Sequence, residues 1–396
     1  MLILGVDVSK ASVIVCPLTE MPKKPRKAFL EVDFFKLPAD KNGIDKLYEL
    51  DPNVAILEPT GVKYSRLWQH HLEQIGCEVR MVDHARLGHY RKNHLRLTDK
   101  TDESDALALA CYGWEYLGDK TRFNYPFPGL TLELRSLVLK LEQLNKLQSI
   151  VINPLRQDLA YQFPEVALTH SVRRKDKPAP LWCFLADREE NTRYRTKLNE
   201  SIGTGIQPST KLNAERLCSI QTEEIDLENQ ITLLLEQEEL APYHSALEPF
   251  DFGLRTKAAL IAHIYPFERF LGEDNKPIME ISRGRNSKRL TPKNISRRRF
   301  HKYLGVAPQE RSSGDRKSRR VSGGSFLCRR ALWRYVYTKI EVRKNRPSEG
   351  ICFELGEFLD RKKSQGISSK KIKSIISSKI VKIIYSRLVK EIATHD

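Results

Sequence analysis

The first 120 residues alternate short apolar runs with helical patterns. Short apolar runs at residues 2–6 and 12–16 predict two strands, residues 54–57 predict a buried strand and residues 78–82 the last strand. Residues 27–35 alternate loosely between apolar and polar side chains, which predicts a further, half-buried strand. Helical patterns lie near residues 43–50, 64–75, 84–94 and 103–117. Three strands in series, followed by strand–helix repeats, predict an α/β domain whose mixed sheet carries flanking helices.

Two apolar stripes follow within residues 126–240. They lie at Leu130, Leu134, Leu137, Leu141, Leu144, Val151 and Leu155, and at Ile220, Leu227, Ile231 and Leu234. Spacings of four and three are typical of paired helices, so the stripes predict two long coiled-coil helices, antiparallel within the chain or intermolecular. Ordinary core packing would also give stripes of this length. The polar stretch between them, residues 165–212, is interpreted as an insertion.

Positive charge is concentrated in one part of the chain. The net charge is +17, from 67 Lys and Arg against 50 Asp and Glu. Residues 283–346 hold 21 of the basic and three of the acidic residues, a net +18, so the remainder is nearly neutral. Apolar residues such as Phe300, Leu332 and Trp333 occur in the same window, which indicates a folded, mainly α basic domain. Such a domain suits a polyanion such as nucleic acid, and a solvated basic face is the alternative.

Composition argues against membrane and secreted proteins. Apolar runs are far shorter than the roughly 20 residues of a membrane span, and the first residues lack the features of a signal peptide. The seven cysteines are scattered without a CxxC pair, which predicts buried thiols in a reducing cytoplasm and neither disulfides nor a zinc site. We therefore expect a cytoplasmic protein with no membrane partner.

Four carboxylates occupy positions that suit metal-dependent chemistry. Asp7 and Glu58 end two buried strands, and Asp102 and Asp105 open a helix three residues apart. An acidic residue at the end of a buried strand is costly unless it is paired. Together the four supply hard oxygen donors for Mg²⁺ or Mn²⁺ and for phosphoryl transfer, which a ribonuclease H-like fold would support. The helical pair alone could instead complement the helix dipole or cap the helix, and the sequence places no histidine as an obvious base.

The motifs around these residues resemble those of insertion-sequence 110 family transposases. GVDVSK at 5–10, LEPTG at 57–61 and TDKTDESDALALA at 98–110 are similar to the family's DEDD motifs, which lie in a domain similar to the Holliday-junction resolvase RuvC. LGVAPQERSSG at 304–314 and SGGSFLCRRALW at 322–333 resemble its C-terminal transposase domain. The family's Pro-Gly-Ile-Gly hairpin is replaced by PFDFG at 249–253, and residues 272–299 are interpreted as a second insertion.

The resemblance implies specific roles for these positions. Asp7, Glu58, Asp102 and Asp105 would be the catalytic, metal-binding tetrad, and Ser313 would be the nucleophile, with Ser312 as a competing candidate. The residues expected to bind nucleic acid are Arg311, Arg316, Lys317, Arg319, Arg320, Arg329 and Arg330. Without the resemblance, an RSSGDR segment would be interpreted as a polar turn.

We expect the chain to consist of four segments. Residues 1–125 would form the RuvC-like DEDD domain, 126–240 the coiled-coil helices, 245–346 the basic serine transposase domain and 350–396 a helical tail. The resemblance implies a DNA transposase of a prokaryotic insertion element, associated with the nucleoid, that acts as a dimer or tetramer. It would be guided by a structured RNA encoded by the element and would pass through a covalent phosphoserine. The alternatives are a metal-dependent RuvC-like nuclease that lacks a serine nucleophile, and a non-catalytic nucleic-acid-binding protein.

Overall fold

The computed structural model describes residues 1–60, 63–124, 129–283, 288–313 and 316–392, and for residues 310–313 and 316–320 only the backbone is described. The chain divides into two compact units, Met1–Pro126 and Phe127–Asp396. Within the described ranges, no helix combines the length and apolar character needed to cross a membrane.

A five-stranded mixed sheet forms the centre of the first unit. Its strands are β1 (Ile3–Val8), β2 (Ser12–Leu18), β3 (Phe35–Pro38), β4 (Val54–Leu57) and β5 (Glu78–Met81). They lie in the order β3-β2-β1-β4-β5, where the pairs formed by β2 are antiparallel and β1, β4 and β5 run parallel. This topology confirms the prediction of a mixed sheet with flanking helices and is consistent with a ribonuclease H-like fold.

The third strand is shorter and later in the chain than predicted. Residues 27–35 were expected to form it, but Pro25–Ala28 is a helical turn, α1, and the strand begins only at Phe35. Proline suits the first turn of a helix because it has no N–H to leave unpaired. The rings of Phe29 and Phe34 pack together with centroids 5.6 Å apart, so the apolar residues of this segment contact each other locally.

Helices cover both faces of the sheet. They are α2 (Lys41–Leu50), α3 (Tyr64–Gln74), α4 (His84–His89), which continues into a π-helical turn at Tyr90–His94, and α5 (Asp102–Tyr116). Alternate residues of β1 enter two different cores, since Ile3 packs with α5 whereas Leu4 and Val6 pack with Trp68 of α3.

Gly5 allows α5 to approach β1 closely. A Cβ atom at this position would meet the carbonyl oxygen of Ala106 and the nitrogen of Ala110. Glycine is the residue that permits backbones to approach this far. The first turn of α5 is thereby held near the carboxyl end of β1.

Two long helices run antiparallel in the second unit. They are α6 (Gly129–Gln162) and α10 (Pro208–Leu235). Leu134 and Leu141 of α6 share a core with Ile231 of α10, whereas Leu155 shares another with Leu217. A coiled coil is not confirmed, because the stripe of α6 also packs against other helices in a larger core.

The segment between the long helices is folded. Residues 165–212, interpreted as an insertion, lie largely between α6 and α10 and include the short helices α8 (Pro180–Leu185) and α9 (Thr192–Asn199), which follow α7 (Pro164–Ala167). Trp182 and Phe184 are buried with Phe163 in the core at this end of the helix pair.

The rest of the second unit is mainly helical. Its helices are α11 (Ala241–Leu247), α12 (Leu254–Ile264), α13 (Ile295–Tyr303), α14 (Phe326–Tyr335), α15 (Gly350–Ser364) and α16 (Ser369–Ile392), with a π-helical turn at Val336–Glu341. Two hairpins complete it, β6 (Met279–Arg283) with β7 (Leu290–Asn294), and β8 (Pro308–Ser313) with β9 (Arg316–Val321).

Candidate active site

Asp7 and Glu58 lie at the same end of two neighbouring strands. The parallel register pairs Val6 of β1 with Leu57 of β4, so the next residue of each strand is an acid. Glu58 is buried, and Asp7 is half-buried. The sheet thus brings together two carboxylates that are 51 positions apart in the sequence.

The helix α5 adds Asp102 and Asp105 at its first turn. The N-cap is Thr101, whose hydroxyl accepts a hydrogen bond from the Ser104 nitrogen at 3.1 Å, and the Ser104 hydroxyl accepts one from the Thr101 nitrogen at 3.0 Å. This capping box satisfies the helix end without either aspartate. Asp102 is exposed and Asp105 is buried.

The four carboxylates interact electrostatically. The pKa of Asp7 is raised to about 7, chiefly by burial and then by the negative charges of Asp102, Asp105 and Glu58. Burial also raises the pKa of Glu58 and of Asp105. A cation placed among these groups would relieve both the desolvation and the mutual repulsion.

Arg91 neutralises Asp105 from within the core. Its Nε lies 2.7 Å from Oδ1 of Asp105, and its side chain is only 2% exposed. Its Nη1 donates to the carbonyl oxygens of Leu97 at 3.1 Å, Thr98 at 3.3 Å and Asp99 at 2.6 Å. Arg91 therefore fixes both Asp105 and the loop that leads into α5.

His84 is the corresponding partner of Glu58. Its Nδ1 lies 2.7 Å from Oε2 of Glu58, and this hydrogen bond opposes the effect of burial on the pKa of that carboxyl group. Sequence reasoning missed both His84 and Arg91. The basic residues that follow β5, between positions 84 and 100, are the signal that could have indicated them.

The four carboxylates suit a divalent cation, although two of them are paired with basic side chains. Among the residues that the structure describes, no three His, Cys, Asp or Glu side chains are grouped closely enough to hold a metal ion. The ion pairs of Glu58 and Asp105 account for two of the four carboxylates. Carboxylate oxygens are nevertheless the donors that Mg²⁺ or Mn²⁺ prefers, and a bound cation would offset the burial and repulsion that raise the pKa of Asp7.

A cavity of about 420 Å³ opens beside these residues. It combines acidic and basic side chains and is lined by Glu58, His84, Gly88, His89, Arg91, Lys92, Lys100 and Asp105. The charge of Lys100 opposes the rise in the pKa of Asp7, Glu58 and Asp105. Cationic groups beside carboxylates give a phosphodiester both counter-charges and a place for metal ligation.

Ser313 is the last residue of β8. In the hairpin register it pairs with Arg316, and Ser312 pairs with Lys317. The side chains of residues 310–320 lie outside the described residues, so the roles predicted for them stay predictions. Those predictions concern Ser312, Ser313, Arg311, Arg316, Lys317, Arg319 and Arg320.

Arg329 and Arg330 on α14 have partners within the second unit. Nη1 of Arg329 donates to the carbonyl oxygens of Gly305 at 3.2 Å and Gly323 at 2.8 Å. Nη1 of Arg330 lies 2.7 Å from Oε2 of Glu142 on α6. Their predicted contact with DNA phosphate stays a prediction, and both side chains hold local structure.

Comparison with protein families gives two matches. A model of DEDD transposases of the IS110 type, described as "Transposase", matches residues 4–164. A model described as "Transposase IS116/IS110/IS902 family" matches residues 293–349. Together they cover more than half of the 396 residues and include the four carboxylates and Ser313. No curated protein matches the chain.

Proposed function

The chain belongs to the IS110 family of transposases and is a DNA transposase, and from this premise we propose that it excises and integrates an insertion element with a carboxylate tetrad and a serine nucleophile. The observation that supports the first part is that Asp7 and Glu58 follow paired residues of neighbouring strands while the start of α5, with Asp102 and Asp105, packs closely on β1. Grouped carboxylates of this kind are characteristic of sites that transfer phosphoryl groups.

Asp7, Glu58, Asp102 and Asp105 would hold Mg²⁺ or Mn²⁺. When bound, the ion would polarise the scissile phosphodiester and stabilise the negative charge that develops on it. Arg91 orients the buried Asp105 and opposes the rise in its pKa that burial causes. Lys100 contributes a positive charge that acts on three of the four carboxylates.

Ser313 would exchange one phosphodiester for another. Attack of its hydroxyl on the DNA phosphate would form a phosphoserine and release a DNA hydroxyl. Attack of a DNA hydroxyl on the phosphoserine would then join the new strand and restore the serine. Because each step makes one phosphate ester and breaks one, the exchange needs no ATP. The support for this role is the position of Ser313 within the second family match.

The family resemblance also supports two partners. A structured RNA encoded by the element would guide the enzyme to donor and target DNA. A second copy of the chain, in a dimer or tetramer, would complete the assembly. Both remain proposals that rest on the family motifs rather than on contacts within the chain.

Excision of the native element in cells tests the proposal. We expect Asp7→Asn, which removes one charge at constant size, and Ser313→Ala to abolish the excision junction, while Ser312→Ala retains it. Denaturing electrophoresis of the protein with labelled DNA should show a covalent adduct that Ser313→Ala lacks. Free cleaved ends without an adduct, and activity in Ser313→Ala, would instead establish the metal-dependent nuclease.

A further inference from the structure

A basic groove lies between α15 and α16, beyond the end of the second family match at residue 349. Its volume is about 620 Å³. Residues 350–392 contain ten Lys or Arg and four acidic residues. The groove is lined by Arg361, Lys379 and Lys382, and continues towards Arg387 and Lys390.

Three cations crowd around one aromatic ring at this groove. The Nζ of Lys379 lies 3.5 Å from the centroid of Phe358, and the charged ends of Arg361 and Lys362 lie 5.7 and 5.8 Å from it. Burial lowers the pKa of Lys379, and the charges of Arg361, Lys362 and Lys382 lower it further. The ring attracts each cation, but the cations repel one another.

These cations lack the acidic partners that neighbouring lysines have. Lys363 and Lys373 bind Glu341, with contacts of 2.8 and 2.6 Å. Within the described part of the chain, Arg361, Lys379 and Lys382 form no ion pair.

The two carboxylates of the groove do not neutralise this cluster. Glu391 accepts a hydrogen bond from the hydroxyl of Ser245 at 2.8 Å, and Arg387 donates to the Ser245 carbonyl at 2.9 Å. Glu354 is exposed and forms no ion pair among the described residues. Five basic and two acidic side chains line the groove, which leaves it with a net positive charge.

We propose that the α15–α16 groove binds the phosphodiester backbone of duplex DNA, as a contact surface separate from the region matched by the family models. The basic positions of α16 from Lys379 to Lys390 extend about 16 Å along the helix axis, enough to face several successive phosphates. Lysine side chains of this kind bind phosphates as point charges and do not read bases. The surface thus increases affinity without choosing the sequence.

The test measures binding of the full chain to a short duplex of arbitrary sequence across a range of salt concentrations. In Lys379→Gln/Lys382→Gln, the slope of log K against log salt should become less steep by about two, since about one counterion is released per phosphate contact. The decrease should be the same for unrelated sequences. Lys379→Arg/Lys382→Arg retains the charge and should retain the slope.

The matched control is Lys370→Gln/Lys371→Gln, two exposed lysines at the start of the same helix and outside the groove. Its slope should equal that of the unaltered chain. An equal decrease in the control, or an unchanged slope in the groove variant, would overturn the proposal. A groove variant that loses binding to structured RNA but not to DNA would overturn it too. The readout requires no strand cleavage, so it is independent of Ser313.

Discussion

The first unit crowds negative charges and the last two helices crowd positive ones, but the two clusters differ in their surroundings. Glu58 is buried at the carboxyl end of β4 and Asp105 in the first turn of α5, and each has a basic partner. Lys379 and Lys382 are exposed and have no acidic partner among the described residues. Burial makes the orientation of the acids part of the fold, whereas exposure leaves the lysines available to a ligand. Buried acids with fixed partners suit the proposed chemistry, whereas exposed lysines without acidic partners among the described residues suit the proposed binding surface.

The largest expected effect on stability comes from replacing Arg91, the buried partner of Asp105. Arg91→Ala leaves Asp105 buried without a cation and removes the donor to three carbonyl groups. We expect it to lower the free energy of unfolding of the chain by about 3–5 kcal/mol. Arg91→Lys should lose less, because it retains the charge but not the forked geometry.

Urea unfolding measures this effect. Lys46→Ala, at an exposed position of α2, is the matched control and should change the free energy of unfolding by less than about 0.5 kcal/mol. If Arg91→Ala were as stable as that control, Arg91 would not be anchoring the acidic site.

Lowering the pH is expected to have a smaller effect on stability, through a buried histidine of the second unit. Burial and, to a smaller extent, the charge of Arg135 lower the pKa of His263 to about 4, and its Nδ1–H donates to the Ala259 carbonyl at 2.8 Å. The unfolded chain has a histidine pKa near 6.5, so it binds more protons than the native chain between pH 6.5 and 4. Stability is therefore complete above pH 6.5 and falls as the pH decreases towards 4, by up to about 3 kcal/mol for this residue.

Thermal or urea unfolding across this pH range tests the histidine. His263→Gln should weaken the pH dependence without abolishing it, because burial also lowers the pKa of His301 to about 4. An unchanged pH profile in the variant would show that His263 is solvated in the native protein.

The smallest expected effect on stability concerns the exposed lysines of the groove. Lys379→Gln/Lys382→Gln should leave the free energy of unfolding within about 1 kcal/mol of the unaltered chain, since both side chains are exposed and form no ion pair among the described residues, and the contact of Lys379 with the Phe358 ring lies at the surface. Differential scanning calorimetry provides the measurement. A loss of more than about 1 kcal/mol would mean that these lysines support the fold.

The mixed sheet could be predicted from the sequence because its signals are local. Apolar runs mark β1, β2 and β4, and the first strand pairs with the second and with the fourth. The third strand was placed wrongly because an alternating pattern does not reveal that Phe29 and Phe34 contact each other. The leucine stripe of α6 likewise says nothing of how many other helices join its core.

The site could be predicted only as far as its acids. Asp7 and Glu58 are conspicuous because carboxylates rarely end buried apolar strands. Arg91 was missed because an arginine in sequence is expected at the surface, and its 2% exposure depends on a buried acid 14 residues later. The capping role of Thr101 is visible in the sequence once the helix start is known.

The antiparallel pairing of α6 and α10 has a consequence for how this chain could change during evolution. The end of α6 and the start of α10 are joined directly, since Oε1 of Gln162 accepts hydrogen bonds from the Gln207 nitrogen at 2.9 Å and the Thr210 hydroxyl at 2.7 Å. The segment between the two helices therefore begins and ends at neighbouring positions. Exposed parts of this segment could therefore be lengthened while the two helices keep their register, provided that Trp182 and Phe184 stay in the core they share with the helices.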